Sequence, residues 1–354
     1  MAGEPTGHVG AGHRRLLRRV ALPEERRRGM QFGAFVPQGW RLDLGDIPVA
    51  QQWDTIVAAA LVAEETGFDS VWVYDHLHTF PEVSQQSTWE AWTLMAGLAE
   101  ATERVRLGQM CTCNSYRPPA YLAKVTACID VMSGGRLDVG IGAGWYEHEY
   151  LGYGYEFPKP SVRIGMLDEA VQILRSMWTE DETVFHGNYY RVDGAINRPR
   201  PLQDPHPPLW IAGGGERLTL RTVAKYADYA NYFGDDETFR HKTGVLVDHC
   251  REVGRDFDEI TLTANVDCLM GETERDAADR LEAWDKPGAG SKDEWRARAL
   301  FGTPEQVAAK IEAMAARGVE YLLVYFADAT WGDSMRRFAA EVLPAFLSHS
   351  GSRG

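Results

Sequence analysis

Asp75 and His76 close the apolar run VWVYDH. An imidazole beside a carboxylate can hold or move a proton near neutral pH. At the end of a buried strand the pair reads as functional; the alternative is a histidine that only caps the next loop. His78, in that loop, reads as structural. Cys111 and Cys113 stand two apart in VRLGQMCTCN, so on a strand their side chains share a face. A zinc site would want a second ligand pair at suitable spacing, and none is evident; buried cysteine commonly serves as a small apolar filler. The run IAGGGE brings Gly213, Gly214 and Gly215 ahead of Glu216 and a helix. Backbone N–H groups at a helix N-terminus suit a phosphate. A tight turn would need one glycine, and three favour the phosphate. GIGAGWYEHEY exposes backbone at Ala143 and Gly144, then adds Trp145, Tyr146, Glu147, His148 and Glu149. Those acids and the histidine are consecutive rather than spaced as HExxH, and no metal site is expected there.

These residues need a scaffold that gathers strand ends. From Met30 the chain alternates short apolar runs with helical patterns. Examples are QFGAFV then QQWDTIVAAALVAEETG stopping at Gly67, and VRLGQMCTC then PPAYLAKVTACIDVMSGG opening on proline. A helix in SQQSTWEAWTLMAGLAEAT is expected to be capped by Ser87 or Thr88. Eight such strand–helix units predict an α/β fold, a (β/α)₈ TIM barrel with insertions. The strands are continuous apolar runs, as a parallel sheet covered on both faces requires. No GxGxxG follows the first strand, so a dinucleotide fold has no specific support. A single domain over residues 30–350 is expected, with an insertion around 181–208 and a loop around 285–300. In such a barrel the active site lies at the carboxyl ends of the strands, where all the residues above fall, with Trp40, Phe80 and Tyr116 close by.

Net charge is −14 with a pI near 5.2, which disfavours nucleic acid binding. Residues 1–29 are the Arg-rich exception and are expected to lie outside the fold, before MQFGAFV, which reads like a protein start. No apolar run reaches the roughly 20 residues of a membrane span, and no secretory h-region opens the chain. Five cysteines without CxxC spacing read as a reduced, cytoplasmic protein.

QFGAFVPQGWRLDL, AEETGFDSVWVYDHLHT, DVMSGGRLDVGIGAGWYEHEYLGYGYEFP and PLWIAGGGERLTLRTVAKYADYAN, in order over residues 30 to 347, resemble the bacterial luciferase-like monooxygenase superfamily. They resemble more closely its actinobacterial coenzyme F420-dependent oxidoreductases. The resemblance implies a flavin-type ring over the strand ends and its phosphate at the glycine loop. It implies a non-prolyl cis peptide at Met110–Cys111 backing that ring, with the cysteines as fillers. It also implies a cofactor-binding set of Asp75, Met110, Cys111, Thr112, Asn114, Ala143, Gly144, Trp145, Gly213, Gly214, Gly215 and Glu216. His76 is the catalytic residue carried over. Trp40, Phe80, Tyr116 and Tyr146 are expected to form an apolar substrate pocket. A homodimer is expected, as is dependence on a separate cofactor-reducing enzyme.

Two positions depart from the superfamily's alcohol and sugar-phosphate dehydrogenases. Phe80 stands where they carry Trp, and Trp145 where they carry Glu. The base for alcohol oxidation is thus missing from its usual place. The expectation is an F420-dependent reductase of an activated C=C or C=N bond in a small organic substrate. The alternatives are an FMN-dependent monooxygenase using oxygen and a non-catalytic cofactor-binding protein.

Overall fold

The computed structural model describes residues 29–284, 291–327 and 332–346. The Arg-rich stretch before Gly29 lies outside them. The first half of the chain runs β1 (Gln31–Phe35), α1 (Val49–Thr66), β2 (Ser70–Val73), α2 (Ala91–Ala101), β3 (Arg106–Gln109), β4 (Thr112–Cys113), α3 (Pro119–Met132), β5 (Leu137–Gly142), α4 (Glu147–Gly152) and α5 (Pro160–Thr179). After the excursion strands β6 (Thr183–His186) and β7 (Arg191–Ala195) come β8 (Leu209–Ala212), α6 (Thr219–Tyr226), β9 (Tyr229–Asn231) and α7 (Asp236–Val253). The chain closes with β10 (Thr261–Met270), α8 (Glu274–Ala283), α9 (Lys292–Arg298), β11 (Leu300–Gly302), α10 (Pro304–Ala316), β12 (Tyr321–Phe326) and α11 (Asp333–Glu341).

The parallel order β1-β2-β3-β5-β8-β9-β10-β12 returns to β1, where Gln31 pairs with Tyr321. This is the closed (β/α)₈ barrel that the alternating pattern predicts. The third strand is broken: β3 stops at Gln109, the Met110–Cys111 peptide is cis, and β4 resumes against β5 with Thr112 opposite Ile141.

Aromatic side chains fill the barrel axis. Trp72 and Trp210 meet edge to face at 4.6 Å, and Tyr321 packs on Trp210. The indole of Trp72 needs bare backbone beside it: a Cβ on Gly33 or Gly108 would come within 2.4 or 2.3 Å of its ring. Its Nε1 donates to Ser70 Oγ, so the buried N–H is satisfied. At the opposite end from the strand carboxyl termini, Arg106 grips Asp138 with two N–H groups at 2.8 and 2.9 Å.

α1 ends at Gly67, as expected, with φ of 91°. α2 begins later than the Ser87 or Thr88 cap predicts. Trp89 N–H donates to Gln38 O and ties that stretch to the loop after β1. Glu90 takes over as cap, accepting from the N–H groups of Trp92 and Thr93. The 181–208 excursion holds the antiparallel β6–β7 hairpin. Glu169 on α5 anchors it by accepting from the N–H groups of Asn188, Tyr189 and Tyr190. The stretch expected as a loop around 285–300 contains α9, opened by a Ser291–Glu294 capping box, and the start of β11. Residues 285–290 lie outside the described ones.

Candidate active site

His76 follows β2 at the carboxyl end of the barrel. Its Nδ1 lies 2.9 Å from Oε2 of Glu149, which comes from α4. Glu149 is fully buried and also accepts from Leu77 N–H (2.6 Å), His78 N–H (2.8 Å) and Tyr116 O–H (2.8 Å). Burial alone would raise its pKa; the hydrogen bonds and charge of His76, with the two backbone donors, outweigh that and hold it below the ordinary carboxylate value. An ionised carboxylate only accepts, so Nδ1 carries the hydrogen and Nε2 is left free of this contact. Here the sequence reading undervalued one residue: Glu149 was seen as part of an acidic run, not as the group that orients His76.

Aromatic rings surround the imidazole. Trp40 stacks on it at 4.1 Å with 4° between planes, and Trp145 and Tyr146 meet it edge-on at 5.8 and 6.0 Å. Phe80 bridges Trp40 and Trp145. Trp145 is 55 % exposed and Tyr146 stacks beside it. Of the expected pocket residues, Tyr116 is placed differently. It is buried in a cluster with Tyr150 and Cys113 and donates to Glu149, so it supports the site from behind.

Asp75 also turns inward. Arg117 donates to both its oxygens at 2.7 and 2.9 Å and Cys113 N–H donates at 2.8 Å, leaving the carboxylate to the protein's own structure. Burial would lower the Arg117 pKa, and Asp75 together with Glu90 more than reverses that. Arg117 had no signal in the sequence beyond its place in the loop before α3.

Around the cis peptide, Gln109 Nε2 and Asn114 Oδ1 are buried without a hydrogen-bond partner. Asn114 Nδ2 donates to Tyr190 O–H at 3.2 Å, while Thr112 Oγ1 is spent on Gln109 Oε1. Burial pushes the Cys113 thiol up to about 12 and raises Cys111 further, so neither is a thiolate near neutrality. Ala143 and Gly144 follow β5; Gly144 has φ of 78°, and a Cβ there would strike the Tyr150 hydroxyl at 2.0 Å. A ring edge with polar atoms would meet unsatisfied groups here, and the donor set fits one.

Across the mouth, Gly213 has φ of 126°, and the loop Gly213–Gly215 leads into α6. Lys242 of α7 overhangs it: a Cβ on Gly214 would lie 2.5 Å from its Nζ. Glu216 is paired with His241 at 3.2 Å, and its carbonyl accepts from His249.

A cavity of about 1020 Å³ adjoins the His76 cluster through Trp40 and Phe80. Arg41 lies in its wall, bonded to both oxygens of Asp267 (2.6 and 3.1 Å) and placed over the Tyr325 ring at 3.9 Å. Asp267 also accepts from Trp295 Nε1.

The barrel is matched by known proteins. The sequence model of the family described as luciferase-like monooxygenase covers residues 30–321, and the chain belongs to that family. Over 177 residues it is 36 % identical to the F420-dependent glucose-6-phosphate dehydrogenase of Amycolatopsis mediterranei, a match spanning 49 % of this chain and 50 % of that protein. It is 24 % identical to the FMNH(2)-dependent dimethylsulfone monooxygenase of Pseudomonas putida over 89 % of this chain and 94 % of that one. Its fold overlays an F420-dependent secondary alcohol dehydrogenase with a TM-score of 0.76 at 24 % identity, over 90 % of this chain and 99 % of the other. No described helix is long and apolar enough to cross a membrane.

Proposed function

We propose that the protein is an F420-dependent oxidoreductase that reduces an activated C=C or C=N bond of a small organic substrate. The observation that carries this reading is the make-up of the mouth: an imidazole held from behind by buried Glu149, with exposed Trp145 and no second carboxylate on its open side among the described residues. When bound, the deazaflavin supplies the hydride. The cis peptide at Met110–Cys111, the free acceptor of Asn114 and the backbone at Gly144 would hold the ring, and Gly213–Gly215 its phosphate. Reduction leaves a negative centre on the substrate that needs a proton. In its imidazolium form His76 can give one there from Nε2, while Nδ1–H stays on Glu149. Oxidation of an alcohol would instead use neutral His76 as the base at the hydroxyl, with Trp145 offering no second proton acceptor beside it. The curated F420-dependent relatives at 36 % identity support the cofactor class.

A second reading is an FMN-dependent monooxygenase, favoured by the nearly full-length likeness to the dimethylsulfone enzyme. Side-by-side titration of the purified protein with F420 and FMN separates them. Tighter F420 binding, with turnover by the reduced deazaflavin, supports the first reading. Tighter FMN binding with oxygen uptake supports the second.

A further inference from the structure

The cavity beside His76 does not end at the barrel mouth. Strand β10 is flanked on one side by β12 from Thr263 to Cys268. On its other side it pairs with β9 at Thr261–Thr263 and with β11 at Cys268–Met270. Among the described residues, Ala264, Asn265, Val266 and Asp267 therefore have no strand beside them on that side, and all of them line the cavity. At about 3.3 Å per residue the interval from Thr263 to Cys268 is about 16 Å long. The barrel wall has a window there.

Neighbouring side chains on a strand face opposite ways, so this stretch of β10 presents Asn265 and Asp267 to one face and Ala264 and Val266 to the other. Asn265 accepts from Asn231 and Asp267 from Arg41, which marks the inner face. Ala264 and Val266 belong to the apolar layer between strands and helices. One cavity touching both sets passes through the wall. Its outer arm reaches Phe239 on α7 and Ala313 and Met314 on α10.

The charged groups along the route are ion-paired or hydrogen-bonded within the protein. Arg41 is held by Asp267, and Arg317 by Asp236. Lys310 donates to the carbonyls of Arg296 and Ala299, Asp235 caps α7, and Arg298 interacts within the protein. On the inner wall an ionic ligand would have to break the Arg41–Asp267 pairing, at the cost of an uncompensated charge. The alternation of the β10–β12 ladder, in which Leu262 O accepts from Glu320 N–H just before β12 and Cys268 O from Ala327 N–H just after it, turns the peptide groups of Asn265 and Asp267 towards the window. Such an edge offers neutral donors and acceptors.

We infer that this arm is the binding site for the tail of an extended, uncharged, largely apolar substrate whose reacting end lies at His76. The inference rests on the proposed reading only in taking the cavity next to His76 as the substrate site. An apolar chain in the arm gains about three- to fourfold in affinity for each methylene buried. The charge-paired inner wall discriminates against compact ionic molecules such as sugar phosphates.

The test uses the full chain without cofactor and a series of straight-chain 2-alkanones of four to twelve carbons, with binding read by calorimetry. Affinity is expected to rise about three- to fourfold per carbon and to level off near the long end. Ala313→Trp places an indole in the arm at an exposed helix position. It should bring the plateau several carbons earlier and leave the shortest ketones unchanged. An affinity independent of chain length overturns the inference, and so does the same plateau in wild type and variant. Ala297→Trp, on α9, repeats the block from another element, and a thermal melt of each variant shows that it is folded. Binding is read without hydride transfer, so a failure of the cofactor assignment leaves this result standing, and the reverse holds too.

Discussion

Glu149 Oε2 accepts from His76 Nδ1 at 2.9 Å, and the same carboxylate collects two backbone N–H groups and a tyrosine hydroxyl. The acid reaches across from α4 to fix a ring placed after β2. It sets which nitrogen of the imidazole faces the mouth. Glu149→Gln keeps the size of the side chain but presents an amide to groups that all donate. Turnover should fall about tenfold or more, with cofactor affinity within severalfold. The pH profile of kcat should also change shape, which a purely structural loss would not produce. An unchanged profile would remove Glu149 from the positioning role.

The same carboxylate makes stability depend on pH. Its pKa in the folded protein is lowered, while in the unfolded chain it is about 4.3. Its contribution is therefore fully present above the unfolded value and is lost as pH falls through the folded one. Urea midpoints of wild type should drop on acidification from about pH 5 to pH 3. The Glu149→Gln variant should show a shallower drop over that window, and equal slopes would count against the assignment.

His76→Ala removes the group that the mouth aromatics surround. Reductive turnover should fall about 10²-fold, the usual scale for loss of a general acid. Cofactor binding should stay within severalfold. Full activity in the variant would mean that solvent supplies the proton and the ring only packs.

Asp75 and Arg117 form a pair in which the carboxylate side chain is fully buried and the guanidinium is 13 % exposed. Arg117→Met should destabilise the fold by about 3–5 kcal/mol, because it strands a buried charge. The double variant Asp75→Asn/Arg117→Met should recover part of that loss in urea unfolding. If both unfold alike, the pair is not coupled.

Gly214 is not in the left-handed region, and the atom nearest a Cβ there is the mobile tip of Lys242. Gly214→Ala should therefore leave the melting temperature nearly unchanged. If the loop holds phosphate, F420 affinity should drop about tenfold as Lys242 is displaced. Loss of stability with intact affinity would reduce the glycines to a turn.

Much of this was legible in the sequence because it is local. The strand–helix rhythm, the stop at Gly67, and the fall of His76 and the glycine run at strand ends all follow from short stretches, whereas the place of the Met110–Cys111 bend came through the family resemblance. What stayed hidden depends on residues far apart in the chain. Asp75 looked like a site carboxylate because nothing beside it reveals that Arg117, 42 positions on, bonds both its oxygens. Tyr116 looked like pocket lining because aromatic character does not say which face is wet. The Glu149 role needed the fold to bring α4 under the loop after β2. A buried acid just past GIGAGW was the only local hint. The strand β11 was hidden in a stretch whose glycines and charges read as loop.

Trp40 has one face on the His76 imidazole and also belongs to the wall of the large cavity. The chain holds 11 tryptophans, so total emission would bury the behaviour of any single one. The difference between wild type and Trp40→Phe isolates this indole. Its light then becomes an intrinsic optical gauge of the mouth, changing when a molecule enters the cavity and needing neither label nor turnover.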